Sequence, residues 1–288
     1  MEYDTLSNGL RLPKVGYGTY KTEGKEGVRV VTQALEAGYR LLDTASFYGN
    51  EEAVGEGIRR SGIPREELLL TSKAWRNEMG YENILAAFDR SCRRLGVEYL
   101  DLYLIHWPRV PYSDPDWKRH NAESWRALEE LYRAGRVRAI GVSNFLPEHL
   151  DALLETAEVC PMVNQIEYHP GWNQPQVLDW CRAHGTLVEA WSPMGRRRVL
   201  EHPLVVELAE KYGLSPAQLC IRFALENGVQ PLPKSSSPER MRENLDVFRV
   251  SLTAEDVCRL NAMEPAGWSE LDPRRMGTES FVGKQLKM

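Results

Sequence analysis

Residues 39–52 read YRLLDTASFYGNEE. An apolar run through Leu41 and Leu42 closes on Asp43, a short link carries Tyr48, and from Glu51 the pattern becomes that of a helix start. Taken alone, the stretch fits a strand-end aspartate that hydrogen-bonds its own turn and a loop tyrosine that is half buried. Whether it is more than that depends on how often the same layout recurs along the chain. It recurs throughout, because short apolar runs alternate with longer helical segments from residue 14 onward, the pattern of βα units and a parallel sheet.

The runs KVGYG at 14, RLLDT at 40, LLLTSK at 68, YLDLYLIH at 99, VRAIGVS at 137, MVNQIEY at 162, TLVEAWS at 186 and VQPLPK at 229 make eight candidate strands. Amphipathic stretches at Gly27 to Ala37, Asn83 to Leu95, Ala122 to Ala134, Pro147 to Glu158 and Pro175 to His184 lie between them. Two more, Pro203 to Tyr212 and Pro216 to Glu226, fill the last gap, and another follows at Ala254 to Met263. Tyr3 to Leu6 and Leu10 to Leu12 flank Ser7-Asn8-Gly9, which predicts an N-terminal β-hairpin. The α/β class follows, and eight parallel strands covered on both faces close most simply into a (β/α)8 TIM barrel. With no linker or low-complexity segment, residues 1–288 read as a single domain with extra helices near the C-terminus.

Composition narrows the function. A net charge of -5 argues against a general binder of nucleic acid or anionic membranes. Five scattered cysteines form no C-x-x-C pair, so neither a disulfide framework nor a metal site is expected. The start, MEYDTLSNGL, lacks the regions of a signal peptide, and no segment approaches the roughly 20 apolar residues of a membrane span. A cytoplasmic protein acting on small molecules is expected.

In a barrel of this kind the site lies where the βα loops converge, at the C-terminal strand ends. Those ends offer Asp43, Lys73, His106, Ser143, Asn144, Gln165, Trp191, Ser192 and Lys234 in strand order. Each has a plain structural explanation by itself, a solvated lysine or a satisfied histidine. An acid, a phenol, an amine and an imidazole delivered to one face together are the signature of a reactive centre.

The run G38-Y-R-L-L-D43-T-A with Tyr48 and N50-E51, then T71-S-K73, L104-I-H106-W-P, G141-V-S-N144-F, N164-Q165 and P233-K-S-S-S-P-E-R240 with Glu243 and Asn244, resembles the aldo-keto reductases. The motifs stand in the family's order from about Leu10 to Asn261. The resemblance implies reduction of an aldehyde or ketone with NADPH/NADP+ as cofactor. It implies Asp43, Tyr48, Lys73 and His106 as the catalytic set. Hydride delivery builds negative charge on the carbonyl oxygen, so a proton donor and a polariser must lie beside it. Tyr48 is the donor; its phenol, ordinarily near ~10, is expected to be lowered by the Lys73 ammonium, with Asp43 holding Lys73 charged. His106 orients the carbonyl.

Around the cofactor the resemblance places Gly18, Thr19, Asp43, Ser143, Asn144 and Gln165, then Trp191 as a stacking face, with Ser192, Met194 and Gly195 after it. Ser237-Pro238-Glu239 has the form of a helix start, with Lys234 and Arg240 beside it, a pattern suited to phosphate. Lys234, Ser235, Ser236 and Arg240 are implied to receive the adenosine 2'-phosphate, with Glu243 and Asn244 near the adenine. No G-x-G-x-x-G fingerprint is present. Tyr20, Trp75 and Trp107, with Tyr48 and His106, would line the substrate, which suits an apolar or planar carbonyl. Arg196 to Arg198 depart from the family pattern and suit the cofactor pyrophosphate, an anionic substrate or plain solvent exposure. The tail from Glu264 to Met288 matches little in the family. A monomer is expected. The alternative is a non-catalytic NADP(H)-binding barrel that senses or scaffolds, although a pure binder has no use for the acid pair.

Overall fold

The structure is a computed structural model and describes residues 2–275. An antiparallel hairpin of β1 (Tyr3–Thr5) and β2 (Arg11–Pro13) comes first, with Tyr3 opposite Pro13. Eight strands of a parallel sheet follow: β3 (Tyr17–Gly18), β4 (Leu41–Asp43), β5 (Leu69–Ala74), β6 (Leu100–Ile105), β7 (Val137–Ser143), β8 (Val163–Glu167), β9 (Leu187–Trp191) and β10 (Val229–Pro231). They pair in chain order from β3 to β10. All eight expected strands are present.

Between them run α1 (Gly24–Glu36), α2 (Glu51–Ser61), α3 (Tyr81–Leu95), α4 (Trp117–Arg133), α5 (Pro147–Leu154), α6 (Pro175–Ala183), α7 (Pro203–Tyr212) and α8 (Pro216–Glu226). After β10 come α9 (Pro238–Leu245) and α10 (Ala254–Asn261), ten helices among the described residues. Local chemistry sets their ends. Ser215 accepts from the Gln218 N–H while the Gln218 side chain reaches back to the Ser215 N–H, a reciprocal cap that starts α8 with Pro216 in its first turn. Helix α5 stops earlier than the periodicity to Glu158 predicts, because the buried Glu129 carboxylate of α4 accepts from the Glu158 and Val159 N–H groups, both at 2.7 Å, and holds that segment out of the helix. No local signal announces a partner 29 residues away.

Strands β5 and β6 are buried at every position, which explains their near-continuous apolar runs. The core is built from strand residues such as Leu42, Leu70, Leu102, Leu104, Ile140 and Val142 packed under helix residues such as Val30, Phe88 and Leu128. A second cluster under α6, α7 and α8 gathers Ile166, Val188, Leu208 and Phe223. Gly141 in β7 allows close approach, since a Cβ there would lie 2.5 Å from the Val163 carbonyl oxygen. At the two ends of the sheet, Gly16 N–H donates to the Pro231 carbonyl and Gly18 N–H to the Pro233 carbonyl, both at 3.1 Å. No helix among the described residues is long and apolar enough to cross a membrane.

Candidate active site

Four groups named from sequence meet at the C-terminal edge of the sheet. Asp43 ends β4, Lys73 lies near the end of β5, His106 follows β6, and Tyr48 closes the short turn of helix Ser46–Tyr48 after β4. Lys73 Nζ donates to Asp43 Oδ2 at 2.7 Å, to the Thr44 carbonyl at 3.0 Å and to Tyr48 Oη at 3.4 Å. Lys73 and Asp43 are buried. Burial alone would push the Lys73 ammonium down, but Asp43 and Tyr48 together outweigh it and hold its pKa above the ordinary lysine value.

Tyr48 behaves otherwise than expected. Burial outweighs the lowering by Lys73, and Asp43 adds to the rise, so the phenol is pushed up to about 12 rather than down. Tyr48 is therefore protonated at neutral pH, and Lys73 faces the oxygen on which negative charge appears when that proton leaves. Burial, with Lys73 second, holds His106 well below the ordinary histidine range. It is a neutral imidazole, T-shaped against Tyr48 at 5.6 Å and Trp75 at 4.9 Å between ring centroids.

The aromatic surroundings are partly as read. Tyr20 is exposed and its ring lies 4.9 Å from that of Tyr48. Trp75 stacks on Phe47 at 3.8 Å and 18°, while Trp107 is buried. Phe47 was not foreseen, since nothing in the sequence marks it from a core phenylalanine. Arg76 was also missed. Its side chain is buried beside Arg109, its Nε and Nη1 have no hydrogen-bond partner, and burial with Arg109 lowers it to about 10.

A second group of polar side chains continues across the sheet. Ser143 Oγ donates to the Gln165 carbonyl at 2.7 Å. Asn144, in a left-handed conformation with φ 63°, donates through Nδ2 to the His106 carbonyl at 3.0 Å and accepts from Trp191 Nε1 at 2.8 Å. Gln165 Nε2 donates to Asp43 Oδ1 at 2.9 Å and to Glu189 Oε2 at 2.7 Å. The Gln165 amide thus joins this group to the Asp43–Lys73 pair. Glu189 was missed, although its signal equals that of Asp43: one carboxylate inside an apolar strand.

Thr19 N–H and Oγ1 both donate to the Asp43 carbonyl, and Asn50 donates to the Thr19 carbonyl while accepting from Thr44 Oγ1, so Gly18 and Thr19 are tied to β4. Ser192 and Gly195 have positive φ, 51° and 53°, and Met194 between them is half buried. Arg196, Arg197 and Arg198 are exposed; Arg196 lies over the Trp191 ring at 5.9 Å and Arg198 donates to the Trp268 carbonyl at 2.7 Å. Of the tail, residues 276–288 lie outside the described residues.

At the start of α9, Ser237 caps the helix by accepting from the Arg240 N–H, and Pro238 occupies the first turn, as read from sequence. Lys234 donates to Ser236 Oγ at 2.9 Å, and Tyr17 Oη donates to the Ser235 carbonyl at 2.5 Å, anchoring this loop to β3. Lys234 and Arg240 are exposed, Glu243 is half buried and Asn244 is buried. Burial and the neighbouring Lys21 lower the Lys234 ammonium against the pull of Glu26. Two exposed cations at a capped helix start fit a phosphate, and the amide and hydroxyl groups around a half-buried indole fit a carboxamide-bearing ring. Among the described residues no group of three or more His, Cys, Asp or Glu side chains could hold a metal ion.

The C-terminal edge of the parallel sheet thus gathers a protonated phenol, a buried ammonium and its carboxylate. The model of the Aldo/keto reductase family matches residues 14–265. The chain is 46% identical over 260 residues to glyoxal reductase of Bacillus subtilis (strain 168), covering 90% of this chain and 91% of that protein. It is 41% identical to morphine 6-dehydrogenase of Pseudomonas putida, covering 96% of each. Its fold is similar to the crystal structure of a Bombyx mori aldo-keto reductase in complex with NADP, with a TM-score of 0.83, 33% identity and coverage of 90% and 92% of the two chains. The chain belongs to the aldo/keto reductase family.

Proposed function

We propose that the protein reduces an apolar or planar aldehyde or ketone to the alcohol, with Tyr48 as the general acid. It is an NADPH-dependent carbonyl-reducing oxidoreductase. When bound, the reduced nicotinamide supplies a hydride to the carbonyl carbon. His106 donates a hydrogen bond that orients the carbonyl oxygen, and Tyr48 transfers its phenolic proton to that oxygen. Lys73 stabilises the negative charge then left on Tyr48 Oη, and Asp43 keeps Lys73 charged. Solvent later restores the phenolic proton. The single observation that carries this reading is the buried relay from Asp43 Oδ2 through Lys73 Nζ to Tyr48 Oη.

Ser143, Asn144 and Gln165 hold the carboxamide, Trp191 stacks on its ring, and Gly18, Thr19, Ser192, Met194 and Gly195 line the same groove. Lys234, Ser235, Ser236 and Arg240 bind the 2'-phosphate, with Glu243 and Asn244 at the adenine end. Tyr20, Trp75 and Trp107 flank the substrate. The relatives' names point to a small dicarbonyl and a polycyclic alcohol, and the rings of Tyr20, Phe47 and Trp75 around Tyr48 and His106 favour a planar or apolar carbonyl. The sheet is read as a closed (β/α)8 barrel in one domain, supported by the bonds from Gly16 and Gly18 to the far end of the sheet. The chain is read as a monomer in the cytoplasm, a location with which its free cysteines agree.

The test is loss of NADPH absorbance with a panel of carbonyls, from glyoxal-like dicarbonyls to polycyclic ketones. Turnover of at least one aromatic or planar carbonyl is expected. NADPH binding without turnover of any carbonyl would instead favour a non-catalytic binder.

A further inference from the structure

The sheet register sets four polar residues in one row across β7 to β10. Ser143 stands opposite Gln165, Gln165 opposite Glu189, and Glu189 opposite Gln230. Paired residues of adjacent strands point to the same face, so these side chains share one layer inside the sheet. Three are amides or a hydroxyl. The fourth, Glu189, is a carboxyl group with no solvent exposure, and its Oε1 has no hydrogen-bond partner. Burying an acid without a paired cation costs stability, so its place in this row calls for a role.

Its contact supplies one. The two hydrogens of Gln165 Nε2 are both committed, one to Asp43 Oδ1 at 2.9 Å and one to Glu189 Oε2 at 2.7 Å. An amide nitrogen has two hydrogens, so this pair of acceptors fixes which end of the amide is nitrogen and fixes its plane. The Oε1 end is then the one available to a ligand. We propose that Glu189 is a positioning residue that, with Asp43, clamps the Gln165 side chain so that its carbonyl oxygen is presented in one orientation to the cofactor carboxamide. The clamp rests on the cofactor reading given above.

The strength of the clamp depends on charge. Burial, with the Asp43 carboxylate second, raises Glu189 to about 7, and neither the Gln165 bond nor Lys73 cancels the rise. Asp43 and Lys73 are the charged groups that act on it; Gln165 and Gln230 beside it on β8 and β10 are neutral. Below neutral pH Glu189 is a neutral acid, whose Oε2 accepts about as well as a glutamine carbonyl. Above it, the carboxylate is a stronger acceptor.

The experiment is fluorescence titration of NADPH against wild type, Glu189→Gln and Glu189→Leu at pH 6 and pH 8, with thermal melts to verify folding. Glu189→Gln keeps an acceptor and is expected to bind within about twofold of wild type at pH 6 and roughly fivefold more weakly at pH 8. Glu189→Leu leaves a buried N–H unsatisfied and is expected to bind about tenfold more weakly at pH 8. Because both proteins bind the same cofactor, titration of its phosphate cancels in the ratio of variant to wild type. Binding by Glu189→Leu within twofold of wild type at pH 8 would overturn the clamp, and a Gln-to-wild-type ratio that does not change with pH would overturn its dependence on charge. Failure of wild type itself to bind NADPH would overturn the cofactor reading, and the clamp with it.

Discussion

At the residue scale, the proposed chemistry depends on Tyr48 keeping its proton until a neighbouring oxygen takes it. A phenol held at about 12 is fully protonated at neutral pH, and the ammonium 3.4 Å from its oxygen acts most strongly on the anion. Tyr48→Phe is expected to lower kcat by about 10²–10⁴-fold while leaving NADPH affinity unchanged. Lys73→Met is expected to cost a comparable factor, and the double variant little more than either alone, because the two act as one unit. Single-turnover kinetics on the four proteins of this cycle measure the coupling, and independent, multiplying losses would break the relay. The residue types and their order were legible in the sequence. The direction of the Tyr48 shift was not, since the lowering by Lys73 was foreseeable but the degree of burial that outweighs it is set by packing.

At the element scale, α9 shows how far local signals reach. Ser237, Pro238 and Glu239 announce its start, and the structure has the cap where the residues require it. NADPH and NADH differ by a phosphate, and under the proposed reading, in which Arg240 holds it, charge-assisted bonds would be worth ~1.5–3 kcal/mol over a neutral hydroxyl, or roughly 10- to 150-fold. Arg240→Ala is expected to weaken NADPH binding and leave NADH binding unaltered; titration of both cofactors decides it, and an unchanged preference would remove Arg240 from the site. Where an element's limits depend on distant partners, sequence reading fails. Helix α5 ends at Leu154, and Glu129 of α4 takes the Glu158 and Val159 N–H groups beyond it, while Glu189 meets Gln165 only because β8 and β9 lie side by side.

At the scale of the whole molecule, acid stability tests how the C-terminal helices are fastened. Asp256 of α10 accepts from Lys211 Nζ and Tyr212 Oη of α7 at 2.6 and 2.5 Å, from Thr253 Oγ1 at 2.9 Å and from Arg259 Nη1 at 3.2 Å. The Lys211 bond foremost, then Tyr212, holds its carboxyl well below the usual range. Its folded pKa lies below the unfolded value of ~3.9, so the stabilisation is complete above that pH and fades as pH falls through the folded value. Lys211 and Arg259 are about half exposed, so solvent screening limits the gain. Asp256→Asn is expected to lower Tm at pH 7 by roughly 2–4 °C, the scale of ~1 kcal/mol, with the gap to wild type closing below pH ~4. A gap of the same size at pH 3 would assign the effect to packing. The strand count, the alternation with helices and the polar residues at strand ends were determined by the sequence alone, because apolar periodicity and turn chemistry are local. Only the tertiary structure decided that Gln165 spans Asp43 and Glu189, that Arg76 is buried with unmet donors, and that burial raises the Tyr48 phenol against the pull of Lys73. Each of these depends on distances between elements that the fold brings together and on exclusion of water, and neither quantity exists until the chain is folded.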